Sequence, residues 1–345
     1  QARKQKSDGI GGIKRMMLKR AVDMHLVVRE DSGFLANGAP AKPAPVPVKP
    51  GTEETALVAV KTPGPFTYLF RTEREGDLAI FEAGKAGASI LPGDVTVTRL
   101  HEAKGTIDQI ICSRLELVMR RKGGATSGKS HDIDRARATG PEVVLTSDAE
   151  KLEARGEDFT YEATIARTTL KGAKGMTANL DGNILRAREL EVWQTKKGQA
   201  KPQGGGIEKM VAYGPGDITL HEKIPGKRPA MARWNEKLTS ERDGKSDLLT
   251  LTGNAAFRDE QGDQSLEGQT LKVWMPSRSN PPAPITGQAA PTGPKAIASA
   301  PSPIPVKPTV PATGGGPIQG NGVRKLERLE ALGSVRANSR ELNIR

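Results

Sequence analysis

The chain has 345 residues, of which 36% are hydrophobic and 3% aromatic, and it carries a formal net charge of +12. Such an excess of basic residues favours an anionic partner: nucleic acid, a membrane surface or phosphorylated lipid. The basic residues are dispersed and no aromatic platform of the RNA-binding type is present, so we do not expect nucleic acid as the partner. No run of about 18 apolar residues predicts a membrane span, and the single cysteine, Cys112, excludes an internal disulfide framework.

Two proline-rich stretches divide the chain. The first begins at Ala39 and reads APAKPAPVPVKP, an extended spacer that cannot join a sheet, and the second is a longer mixture of Pro, Ala, Gly and Thr. The expected organisation is therefore a partial β segment (residues 1–38), a linker (39–52), one large β domain (53–275), a second linker (276–320) and the start of a further β-repeat (321–345) that is cut off at Arg345.

Within the central block, apolar and polar residues alternate with a period of two. This period indicates strands with one buried and one solvated face. Turn residues such as Asp181-Gly182-Asn183 separate the strands, and no amphipathic helix is evident, so the sequence predicts an all-β protein. The clearest alternating segments are Val95-Thr96-Val97, Leu190-Glu191-Val192, Leu249 to Phe257, and Leu271 to Met275.

The chain also repeats itself. A leucine, four residues, a second leucine, any residue, a valine and a tryptophan occur at Leu185–Trp193 and again at Leu266–Trp274. A third copy without the tryptophan spans Ile110–Leu117, and a degenerate fourth spans Ala337–Ile344. The strand from Leu249 to Phe257 has a counterpart from Met16 to Leu26. We infer a strand-pair unit that is used several times.

The last part of the block carries a family resemblance. Leu249-Thr-Leu-Thr-Gly253-Asn254-Ala255 and Leu266-Glu-Gly268-Gln269-Thr-Leu271-Lys-Val273 follow the paired strand motifs of one family, with Gln269 where aspartate is usual. In these residues the chain resembles the OstA-like family of periplasmic lipopolysaccharide-transport proteins, to which LptA and LptC belong. The resemblance extends over residues 53–275.

The resemblance implies an open β-jelly roll, V-shaped, whose two sheets hold acyl chains in a groove between them. It implies a non-enzymatic function, the binding and bridging transport of lipopolysaccharide or another anionic lipid in the periplasm or cell envelope. It also implies a protein peripheral to membranes that joins other jelly-roll transport proteins by edge-strand pairing. Alternation alone fits a sealed β-sandwich core equally well. The residues expected on the inner face of the groove are Val95, Val97, Leu115, Leu117, Met176, Leu190, Val192, Leu249, Leu251, Phe257, Leu271, Val273 and Met275.

Other motifs lead to weaker hypotheses. Gly123–Ser130 fits the phosphate-binding-loop pattern, but no parallel α/β context surrounds it, so nucleotide binding is a remote alternative. His101-Glu102 and His221-Glu222 recur without the ligand spacing that a metal site needs. Trp193 and Trp274 end equivalent strands, where they either border the groove or cover a core edge. We find no catalytic constellation and expect no cofactor; the alternative from a different class is a structural β-repeat scaffold of the envelope.

Overall fold

The computed structural model describes residues 13–29, 55–74, 76–84, 95–101, 105–121, 132–149, 151–195, 207–221, 228–243, 246–259, 264–276, 328–338 and 343–344. All regular structure in these ranges is antiparallel β, which confirms the predicted all-β class with a jelly-roll-like arrangement of strands. None of the described residues forms a helix that is long and apolar enough to cross a membrane. The linker over 39–52 and nearly all of 276–320 lie outside the described residues.

The described strands number 21. The first ten are β1 (Arg15–Leu18), β2 (Val22–Arg29), β3 (Thr55–Thr62), β4 (Phe66–Glu73), β5 (Gly76–Gly84), β6 (Val95–His101), β7 (Thr106–Cys112), β8 (Arg114–Arg121), β9 (Asp132–Ser147) and β10 (Leu152–Glu162). The others are β11 (Arg167–Leu180), β12 (Asn183–Gln194), β13 (Ile207–Tyr213), β14 (Gly216–Leu220), β15 (Ala230–Trp234), β16 (Lys237–Asp243), β17 (Ser246–Asp259), β18 (Gln264–Pro276), β19 (Arg328–Leu332), β20 (Arg336–Asn338) and β21 (Asn343–Ile344).

These strands form one hydrogen-bonded sheet that is folded into two facing parts. Sheet I runs in the order β2, β3, β6, β7, β9, β10, β11, β12, β14, β15, β17, β18, β20 and β21. Sheet II runs in the order β1, β4, β5, β8, β9, β10, β11, β12, β13, β16, β17, β18 and β19. The six longest strands, β9 to β12, β17 and β18, belong to both sheets because each crosses from one to the other.

The crossing points lie side by side and form a line of irregular backbone, which we call the crease. Register shifts mark it within the long strands, for example between Gly156 and Asp158, between Lys171 and Met176, and between Thr252 and Ala255. Shorter breaks mark it elsewhere, such as Gly214-Pro215 between β13 and β14. The ends of the strands that are farthest from the crease form the opposite border of both sheets, which we call the rim.

Gly253 and Asn254 show why residues that tolerate positive φ occur at the crease. Both adopt positive φ, +83° and +49°, which glycine tolerates freely and asparagine better than most residues. A Cβ atom on Gly253 would lie 2.8 Å from the backbone nitrogen of Glu236. The Asn254 side chain accepts a hydrogen bond of 3.0 Å from the Gln269 amide. The motif residues that carry the family resemblance therefore lie at the bend.

The repeats occupy equivalent places in this architecture. Leu185–Trp193, Leu266–Trp274 and Ile110–Leu117 each start in sheet I, cross the crease and continue in sheet II. Met16 to Leu26 makes the reverse crossing, as Leu249 to Phe257 does. In the predicted fourth copy Ala337 pairs with Ile344 in sheet I, and residues 339–342 between the two strands lie outside the described residues.

Candidate functional site

The candidate site is the interior between the inner faces of the two sheets. Inner residues of both sheets belong to a single hydrophobic cluster. Because each sheet has only one face in that cluster, side chains with no exposed surface must be covered by the opposite sheet. All the predicted groove residues with described side chains belong to the cluster or pack against it, whereas the side chain of Met275 lies outside the described residues.

The predicted groove residues differ in how deeply they are buried. The four on β6 and β8 are fully enclosed: Val95, Val97, Leu115 and Leu117. Five others are buried close to the crease or midway to the rim: Met176, Leu249, Leu251, Leu271 and Val273. Three retain exposed surface: Leu190, Val192 and Phe257. The pattern of alternation identified inner residues, but it did not separate these three environments.

In the part of the fold from β11 to β21, which we call the second half, exposure increases from crease to rim. Leu251 is 2% exposed and Leu249, one step nearer the rim, is 7% exposed. In sheet I, Ile218 is buried and Leu220 partly exposed. Phe257 has the same partly exposed position relative to Ala255. Apolar surface of the interior thus stays partly exposed towards the rim at Leu220 and Phe257, whereas Asn183 and Asp247 place buried polar groups at the rim ends of β12 and β17.

The interior is closed over the central strands, β6 to β9. The inner side chains remain buried out to the rim, where Met119 and Ile133 are each 2% exposed. At the same end of β6, Arg99 has no exposed surface at all. The described inner side chains of the central strands therefore expose no apolar surface at the rim, in contrast to Leu220 and Phe257 of the second half.

A buried polar cluster accompanies this closure. Arg99 pairs in register with Asp108, and Asp108 with Ser147, on three neighbouring strands of sheet I, and all three are buried. Burial raises the pKa of Tyr161 in sheet II to about 12; the positive charge of Arg99 opposes this rise and Asp132 adds to it. The electrostatic influence of Arg99 on sheet I therefore reaches Tyr161 on sheet II.

The sequence contains a signal for the inward orientation of Arg99. Val95, Val97 and Arg99 lie in the same alternating phase, so Arg99 was bound to point inward once the two valines did. Leu220 and Leu266, which line the rim of the second half, were missed for a different reason. Leu220 is the last residue of the short strand β14 and Leu266 lies near the start of β18, so each has alternating neighbours on one side only and is hard to distinguish from a turn neighbour.

The outer faces of the sheets are polar. Cross-strand ion pairs cover them, for example Arg135 with Glu116 at 2.6 Å and Arg186 with Asp217 at 2.9 Å. Trp193 and Trp274 also lie here, beneath the cations of Lys209 and Arg328 respectively. Neither tryptophan borders the interior, so both positions considered for them were wrong. The indole rings pack against charged neighbours on the solvent side.

An outer crevice of about 560 Å³ lies at the crease between β11, β12 and β13. Lys171, Arg188, Glu189 and Glu191 contribute charges of both signs to its lining. Lys171 pairs with Glu189 at 2.8 Å, and Glu191 accepts a hydrogen bond from Tyr213. The crevice therefore offers no net charge to an ionic ligand.

The remaining motifs give no assembled site. Gly123–Ser130 lies outside the described residues, as do Glu102, Glu222 and the side chain of His101. Burial raises the pKa of the Cys112 thiol to about 12, so the thiol stays protonated and unreactive in the folded protein. Among the residues that the structure describes, no three His, Cys, Asp or Glu side chains converge as metal ligands would. Comparison with known proteins identifies no relative: no family model, curated protein or solved structure matches the chain.

Proposed function

We propose that this protein binds lipopolysaccharide, or a similar anionic amphiphile, in the periplasm and shields its acyl chains between the two sheets. The observation that supports the proposal is the apolar inner face of the second half, which stays partly exposed up to the rim at Leu190, Leu220, Phe257 and Leu266. An acyl chain enters such a surface without covalent chemistry. The proposed function is therefore non-enzymatic.

The physical gain comes from removing acyl surface from water. Each CH₂ group transferred to an apolar surface contributes about 0.8 kcal/mol, so about ten carbons give about 8 kcal/mol, which corresponds to micromolar affinity. Aliphatic side chains such as Leu190 and Val192 form no directional bonds with the guest, which leaves it able to slide and to leave. The net charge of +12 suits phosphate groups that remain in water outside the rim.

The sheet edges support the proposed partners, other jelly-roll proteins that add their strands to this one. β1 pairs only with β4, and β19 pairs only with β18, among the described strands, so sheet II ends at both. Met17 on β1 and Leu332 on β19 are each 52% exposed. Edge strands with exposed apolar residues favour pairing with a further strand.

A photocrosslinking experiment tests the lipid proposal. Phe257 is replaced by p-benzoylphenylalanine in cells that make lipopolysaccharide, and the same replacement at Tyr213, an exposed aromatic residue of the outer face, serves as control. We expect a lipopolysaccharide adduct at position 257 and none at 213. Absence of an adduct at 257 would contradict the proposal and favour the envelope scaffold without lipid cargo.

A further inference from the structure

We propose that lipid bound in the second half of the interior stays there, and that the buried polar cluster around Arg99 is the barrier at which its acyl chains end. This inference rests on the proposed function and specifies where its ligand lies. It follows from three features of the interior, which are the exposure of its rim, the size of its side chains and its polarity.

The rim separates the two regions. Over the central strands the inner side chains are covered up to their ends, as Met119 and Ile133 show. In the second half Leu220, Phe257 and Leu266 keep part of their surface exposed. A ligand that enters from the rim therefore meets apolar surface in the second half and none over the central strands, while Met24 and Leu26 on β2 keep exposed surface on the far side of the central strands.

Side-chain size gives the same division. The strands that flank the central ones carry bulky rings on their inner faces: Phe66, Tyr68 and Phe81 on β4 and β5, and Phe159 and Tyr161 on β10. Tyr68 and Phe81 pack with ring centroids 5.3 Å apart, and Phe66 and Phe81 at 6.1 Å. The second half has only Trp234 and Phe257 as inner aromatic residues in the part that the structure describes. These rings reduce the volume that is open to acyl chains beyond β10.

The buried charges of the cluster make it a barrier to acyl chains. Arg99 and Asp108 are 0% and 2% exposed, and they lie on β6 and β7, which β9 and β10 separate from the second half in sheet I. An acyl chain cannot form hydrogen bonds, so displacing the neighbours of these charged groups would leave buried charge without compensation. The methyl end of the ligand consequently stops before the cluster.

Crosslinking within one protein tests the division. p-Benzoylphenylalanine is placed separately at Phe81 and Phe257, both inner phenylalanines, and the protein is incubated with purified rough lipopolysaccharide and irradiated. We expect an adduct at 257 and only the unirradiated background at 81. Adducts at both positions would overturn the inference and leave the proposed function standing, whereas adducts at neither would overturn the proposed function itself.

Arg99→Met tests the barrier, with Arg155→Met as the matched control because Arg155 is an exposed arginine of the outer face. Removing the charge is expected to bring an adduct to position 81, and the control variant is expected to leave that position unlabelled. A folded Arg99→Met protein without label at 81 would refute the role of Arg99. If the variant does not fold, binding of saturated fatty acids of increasing length to the unmodified protein decides: affinity that stops rising beyond a limiting length supports a barrier, and affinity that keeps rising contradicts it.

Discussion

Replacing two inner phenylalanines by alanine measures the difference between the closed and the open parts of the interior without any ligand. Phe81 is buried, pairs in register with Tyr68 and Leu117, and contacts two aromatic rings. Phe81→Ala therefore leaves an enclosed cavity and should lower the free energy of unfolding by about 3–5 kcal/mol. Phe257 already meets solvent, so water fills the space that Phe257→Ala creates, and we expect a loss of about 1–2 kcal/mol.

Urea denaturation, followed by tryptophan fluorescence, gives both free energies on the same scale. The slope of the transition must stay equal in the two variants, because a change in slope indicates altered compactness of the native or the denatured state. A difference of about 2 kcal/mol between the variants is the expected result. Equal losses would refute the division of the interior, since they would show that Phe257 is as enclosed as Phe81.

Three further perturbations test other parts of the structure. Gly253→Ala should cost about 1–3 kcal/mol more than Gly182→Ala in thermal unfolding, because both glycines have positive φ but only Gly253 lies against a neighbouring backbone; equal costs would contradict the tight bend. Tyr161, with its pKa raised to about 12 by burial, contributes stability that is full below its ordinary value of 10 and is lost as the pH rises towards 12. The loss should reach about 3 kcal/mol, and the pH profile of Tyr161→Phe should lack it. Cys112 should react with a thiol reagent only after the chain unfolds, and rapid labelling of the native protein would show that β7 is not enclosed.

The fold class and the inner residues were predictable because strand alternation is a local property. The segment from Leu249 to Phe257 alternates through nine residues, and the structure has the strand there as β17. The bend inside this strand was not predicted, although Gly253-Asn254 belongs to the motif that runs from Leu249 to Ala255. A motif read as a sequence of strand residues does not show that the strand changes sheets at its centre.

Burial was less predictable than orientation because it depends on residues far away in the chain. Val97 and Val192 occupy the same kind of alternating segment, yet only Val97 is fully enclosed. The difference arises from what faces them, which no local pattern specifies. Arg99 was overlooked because charged residues are expected on the solvent face, and here the phase of the strand overrides that expectation.

The Gly253-Asn254 bend has a consequence for how resemblance among such chains is interpreted. Gly253 lies against the backbone of Glu236, and Asn254 accepts a hydrogen bond from Gln269 on the neighbouring strand, so the demand on both residues comes from the bend. The inner surface is formed by other residues, apolar side chains such as Phe257 and Leu220. A Gly-Asn pair shared between two such chains would therefore indicate a shared bend and would carry no information about a ligand.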